Sequence, residues 1–221
     1  NSNYSSYLNT NIATEKSIEI VAQANITPSM IETYSYTNFN HDIALSKYEN
    51  PNKYFSLVNP PLDSVTKLRF SKFHGNILAV ASWDGTVRLW KISSQTNNMI
   101  FYYSLNVKGC ILDLEWTKEG RLILAHSDGT ISLLDITSRT AEVIGKHNGP
   151  VKSVTECSVG NSNLILSGSY DGSVKIWDAR SKTYVYVHNA NGKVYGIEFK
   201  NGSFAFINSI GELYIYTLSN P

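Results

Sequence analysis

An all-β fold is what this sequence predicts, and three observations carry the prediction. The apolar segments are short, β-branched and broken by Gly, Asn, Asp and Ser. Aromatic residues make up 12% of the chain, with 14 tyrosines among them, a composition that suits strands better than helices. Most telling is an internal repeat. Glycines recur at positions 85, 129, 172 and 211, at spacings of 44, 43 and 39 residues. Many short strands at regular spacing read as a sandwich, a barrel or a propeller.

Each repeat has the physics of a β-hairpin. An apolar strand runs into a turn, as in Ala-Ser-Trp-Asp-Gly85, where glycine supplies a positive φ and Asp bonds local backbone. The return strand then alternates, as in Thr86-Val-Arg-Leu-Trp90. A large apolar residue stands five positions after each glycine: Trp90, Leu134, Trp177 and Tyr216. A further strand is predicted ahead of each hairpin, at 65–70, 111–116, 151–156 and 194–199, and a fourth after some of them, at 99–105 and 184–187. Four antiparallel strands per period of about 43 residues is the arrangement of a propeller blade. The blades are expected at about 62–93, 107–137, 148–180 and 191–218.

These segments resemble WD40 repeats. Ser167-Gly-Ser-Tyr-Asp-Gly-Ser-Val-Lys-Ile-Trp-Asp178 is the best copy, and Lys146-His147 stands where the family has Gly-His. Three positions depart from it: Lys91 for the Asp of a Trp-Asp pair, Leu134 for a Trp, and Ile210 for a turn Asp. The resemblance implies a non-catalytic propeller. It also implies that His147, Ser167 or Ser169, Asp171 and Trp177 form a structural tetrad. Finer wording points further: Pro60-Pro-Leu-Asp63 leading into the first repeat, Trp177-Asp-Ala-Arg180 and Lys193-Val-Tyr195. That succession is similar to the branch of mitotic-checkpoint adaptors and their messenger-RNA export paralogues. The resemblance implies a kinetochore adaptor that binds a GLEBS-type peptide of checkpoint kinases across its top face. The alternative it implies is an export factor that docks on a nucleoporin at the nuclear pore. It places the two contact aromatics on Trp83 and Tyr170, the second a departure that keeps an aromatic ring without an indole donor. Basic residues that serve partner binding in later blades are not placed, and Lys152, Lys175 and Arg180 read as solvated.

Other chemistries fit poorly. A Ser, a His and an Asp in one repeat invite a hydrolase reading, but no Gly-x-Ser-x-Gly elbow accompanies them. No phosphate-cradling glycine loop is present, so no cofactor is expected. The five histidines lack metal-ligand spacing, so no metal is expected. The charge balance, 19 Lys+Arg against 18 Asp+Glu, argues against a polybasic nucleic-acid binder. No apolar run reaches the roughly 18 residues of a membrane helix. Cys110 and Cys157 make neither a CxxC pair nor a disulfide framework, which suits a nuclear or cytosolic protein. Three Asn-x-Ser/Thr triplets, at Asn3, Asn25 and Asn201, read as chance in an Asn-rich chain.

Residues 1–50 differ from the rest. They hold two lysines against five acidic residues and no strand-turn repeat, so an arm is expected, flexible or partner-like. Residues 17–22 could add a strand, residues 43–48 could dock in the partner groove, and 54–58 resemble a ring-closing strand. The blades therefore occupy 51–221, enough for four, where the resemblance implies seven and about 300 residues. A partial chain beginning at Asn1 is the expectation, its remaining blades missing.

Overall fold

The computed structural model describes residues 20–22, 59–93, 99–159 and 162–218, and they are all strand, turn or loop. Strand β1 (Ile20–Ala22) lies within the segment that the sequence offers as an added strand. Strands β2 (Val65–Phe70), β3 (Ile77–Ser82), β4 (Thr86–Ile92) and β5 (Met99–Asn106) form the first antiparallel sheet. The second holds β6 (Ile111–Trp116), β7 (Leu122–His126), β8 (Thr130–Asp135) and β9 (Thr140–Lys146). The third holds β10 (Val151–Val159), β11 (Ser162–Ser169), β12 (Ser173–Asp178) and β13 (Thr183–Asn189). The fourth takes β14 (Val194–Lys200), β15 (Ser203–Asn208) and β16 (Leu213–Thr217), and β1 pairs onto β16 as its outermost strand. Three sheets are thus meanders of four consecutive strands, and the fourth is a three-strand meander completed by β1, each with the four strands of the blade that the period predicts. Residues 43–48 and 54–58 lie outside the described residues.

The repeat glycine sits at the same place in each sheet. In all four turns its amide bonds the carbonyl three residues earlier, at 3.2–3.3 Å, and its φ lies between 75° and 88°. That backbone region is strained for any residue with a Cβ. At Gly129 a Cβ would also come within 2.5 Å of the His147 carbonyl oxygen, so the turn has no room for one.

Counting from that glycine fixes how blades stack. Residues six and four before it, and two and four after it, form a forward face. In blade one these are Ala79, Ala81, Val87 and Leu89, buried against Ile111, Leu114 and Trp116 of blade two. In blade two, Ile123, Ala125, Ile131 and Leu133 meet Val151 and Val154 of blade three. In blade three, Leu166, Val174 and Ile176 meet Val194 and Ile197 of blade four. The remaining forward position there is Gly168, where a Cβ would fall within 2.5 Å of Val194, so glycine is what lets the sheets approach. Each Val, Leu or Ile side chain buried in these seams contributes on the order of 1.5–3 kcal/mol.

Polar ties run beside the apolar ones along the inner strands. Asp113 on β6 is 3% exposed; it pairs with Lys67 on β2 at 2.9 Å and accepts the Val154 amide of β10 at 3.0 Å. One carboxylate therefore joins three blades. Arg69 pairs with Glu115 at 2.9 Å, and the Trp116 indole donates to the Arg69 carbonyl at 3.0 Å.

A candidate partner-binding rim and the buried network beneath it

The four turns share one rim. There, the residue two before each glycine donates its amide to the loop that enters the blade. The bonds run from Trp83 to the Ser64 carbonyl, Ser127 to Cys110, Tyr170 to Pro150 and Ser209 to Lys193, at 2.8–3.0 Å. The rim position is thus held by backbone in every blade, and in the fourth the Ser209 hydroxyl also accepts the Lys193 amide at 3.1 Å. That position reads Trp, Ser, Tyr, Ser around the four blades. Trp83 is 51% exposed there. Tyr170 is half-buried, with its ring edge-on to Tyr195 at 5.3 Å between centroids and the Lys193 ammonium 5.7 Å from its own. Tyr195 and Lys193 come from the next blade, so sequence reading of single repeats missed them. Their signal is the Lys-Val-Tyr wording, which marks the start of that blade's first strand.

Beneath Tyr170 lies a buried chain of hydrogen bonds. The Trp177 indole donates to Ser167 Oγ at 2.7 Å. Ser167 Oγ lies 2.7 Å from His147 Nε2, and His147 Nδ1 lies 3.1 Å from Asp171. One assignment of protons satisfies every member. The indole N–H enters Ser167, the hydroxyl donates to Nε2, and the Nδ1 proton points at the carboxylate. Asp171 also accepts from the Asn148 amide and from the amide and hydroxyl of Ser173. Ser169 stands outside this chain. It is one step nearer the turn, where its hydroxyl meets the Gly149 and Pro150 carbonyls and accepts the Asp171 amide instead. Lys175 lies over the rings of Trp177 and Tyr184, and Arg180 pairs with Asp178.

Burial drives the His147 pKa down to about 4, against the opposing pull of Asp171, and Lys175 lowers it further. At neutral pH the imidazole is therefore neutral. Burial alone would raise the Asp171 carboxyl, but the Ser173 hydroxyl and the amides of Asn148 and Ser173 outweigh it and hold the group below the usual range. A histidine that cannot take up a proton when folded, but can when unfolded, makes stability fall with acid. The contribution of His147 is expected to be complete above pH 6.5 and to disappear between 6.5 and 4, amounting to about 3 kcal/mol at most. Urea titrations across that window check it; in a His147→Gln variant the slope there should flatten.

Ser, His and Asp do stand in triad order here, yet Ser167 is fully buried and its oxygen is occupied by the indole. A nucleophile needs an open path to its substrate. Other blades solve the same interior differently. In blade one, Arg88 pairs with Asp84 at 2.8 Å, and the Thr86 and Leu62 amides also reach Asp84. These bonds, with the Thr86 hydroxyl, hold the Asp84 carboxyl far below its usual range although burial opposes them. In blade two, His126 Nε2 meets Ser132 Oγ at 2.7 Å. Among the described residues no three His, Cys, Asp or Glu side chains gather as metal ligands, and no helix could cross a membrane. Cys157 is buried, which pushes its thiol up to about 12.

Comparison with known proteins agrees with this geometry. Residues 57–91 and 139–178 match the family of WD domains, G-beta repeats. The chain is 30% identical over 148 residues to the mRNA export factor GLE2 of Chaetomium thermophilum, covering 65% of this chain and 41% of that one. It is 27% identical over 165 residues to the spindle assembly checkpoint protein bub3 of Schizosaccharomyces pombe, covering 75% and 50%. It spans half or less of the length of these relatives. The crystal structure of the WD40 β-propeller domain of Doa1 superposes with a TM-score of 0.61 at 20% identity, covering 71% of this chain and 52% of that one. Four sheets of one design, joined by the same strand-turn-strand unit, make this chain a carrier of WD40 repeats folded as propeller blades.

Proposed function

We propose that this chain is a non-enzymatic adaptor of the spindle assembly checkpoint, whose rim receives a GLEBS-type peptide of checkpoint kinases and carries them to kinetochores in the nucleus. The observation that carries the reading is the half-exposed indole of Trp83, on the same rim as the Tyr170, Tyr195 and Lys193 group. Exposed aromatics on a rigid backbone are efficient anchors, because they bring large contact area at low cost in side-chain entropy. A lysine beside them suits a peptide that carries acidic residues. The buried Ser167 supports a binding role over a hydrolytic one.

A second reading, an export factor docked on a nucleoporin at the nuclear pore, is favoured by the likeness to GLE2. Titration calorimetry with two synthetic peptides separates them. The checkpoint reading expects the kinase segment to bind at least tenfold more tightly than the nucleoporin segment. The reverse order supports export, and binding of neither sets both aside.

A further inference from the structure

Asparagine followed by glycine is prone to lose ammonia, because glycine has no Cβ to keep its amide nitrogen away from the preceding side-chain carbonyl. The sequence holds three such pairs, at 148–149, 191–192 and 201–202. The blades hold them differently. Asn201 and Gly202 form the turn between β14 and β15, with φ of 50° and 76°. Lys200 and Ser203 pair across that turn, and the Gly202 carbonyl accepts the Leu218 amide at 2.7 Å. Asn148 and Gly149 enter blade three. The Asn148 amide donates to Asp171 at 2.8 Å, and the Gly149 carbonyl accepts the Ser169 hydroxyl at 3.0 Å.

Asn191 and Gly192 enter blade four at the same place, since Ser209 bonds the Lys193 carbonyl just as Tyr170 bonds that of Pro150. Both anchors are gone there. Ile210 stands where blade three has Asp171. Asn208 stands where blade three has Ser169, and its side chain is taken by the Ile210 and Glu212 amides and the Glu212 carboxylate. The chain is tied at Ala190, whose amide meets the Gly172 carbonyl at 2.7 Å, and again at Lys193. Between those ties, no hydrogen bond among the described residues holds the exposed Asn191 or Gly192. Glycine is itself demanded at 192, where a Cβ would come within 2.6 Å of Ser209 Oγ. Every group named here belongs to blades three and four.

We propose that Asn191 is a site of selective, spontaneous deamidation, set by the missing turn aspartate of blade four. The Gly192 amide nitrogen attacks the Asn191 side-chain carbonyl carbon and closes a succinimide ring. The bond from that carbon to the side-chain nitrogen breaks, and the nitrogen leaves as ammonia with the Gly192 proton. Water then opens the ring at either carbonyl, giving aspartate or isoaspartate, with no oxidant or reductant involved. Either product places a new carboxylate on the rim, two positions before Lys193, whose ammonium lies over Tyr170. The inference is independent of what the rim binds.

Peptide mapping by mass spectrometry tests it, with the full 221-residue chain incubated in oxygen-labelled water at mildly alkaline pH. In the folded chain Asn191 should take up label at least about tenfold faster than Asn148 or Asn201, whose loops must first open hydrogen bonds. In concentrated urea the three sites should react at comparable rates. Ile210→Asp, at a side chain 59% exposed, supplies an acceptor for the Asn191 amide and should slow this site toward the Asn148 rate. Equal rates at the three sites of the folded chain overturn the proposal. So does a preference for Asn191 that persists in urea, or an Ile210→Asp chain that reacts at Asn191 as fast as its parent.

Discussion

An Asp171→Ala variant is expected to lose about 3 kcal/mol of stability, a drop of roughly 6–12 °C in Tm for a chain of this size. The reason is the number of groups that the carboxylate serves. Removing it takes the acceptor from the Asn148 amide and from both donors of Ser173, and leaves the Nδ1 proton of the fully buried His147 with only the Ser173 hydroxyl, 2.9 Å away, to accept it. Each stranded donor costs more than a simple lost bond, because it keeps its desolvation penalty. Asp171→Asn should cost less, since its side-chain oxygen can still accept. Calorimetric scans of the three proteins give the ranking. An Asp171→Ala chain that melts with the parent would mean that the buried network does not pin the blade.

Trp83→Ala should act in the opposite way, on binding and not on stability. A central aromatic anchor is worth about 2 kcal/mol or more on truncation, so the GLEBS-type peptide should bind roughly 30-fold more weakly. The melting temperature should stay within a degree or two, because half the indole is already in water and the Trp83 amide bond to Ser64 remains. Tyr170→Ala should weaken the same peptide less, since Tyr195 and Lys193 remain beside it. Undiminished affinity in the Trp83→Ala variant would remove this residue from the site.

Much of the fold was legible in the sequence because its cause is local. A glycine with positive φ, an alternating return strand and a large apolar residue five positions on are all features of one hairpin. The repeat then multiplies the signal. His147, Ser167, Asp171 and Trp177 could be named as a set for the same reason, although not which serine belongs to it. That choice depends on depth: the imidazole reaches Ser167, while Ser169 is taken by loop carbonyls. What crosses between blades was harder to read. Nothing near Asp113 in sequence announces that it joins Lys67 to the Val154 amide, 46 residues before and 41 after it. Position 88 and its equivalents, Ser132, Lys175 and Tyr214, hold four different residues, so each blade's inner polar partner differs and no motif records it.

The backbone tie beneath each rim residue has an evolutionary consequence. Amide-to-carbonyl bonds care nothing for the side chain above them, so the ties at Trp83, Ser127 and Tyr170 survive a change of side chain, whereas the Ser209 hydroxyl also accepts the Lys193 amide and would be missed. Recognition can then be rewritten one letter at a time, while the architecture is inherited unchanged. A scaffold of this kind can diverge into paralogues with different clients long before its stability records the change.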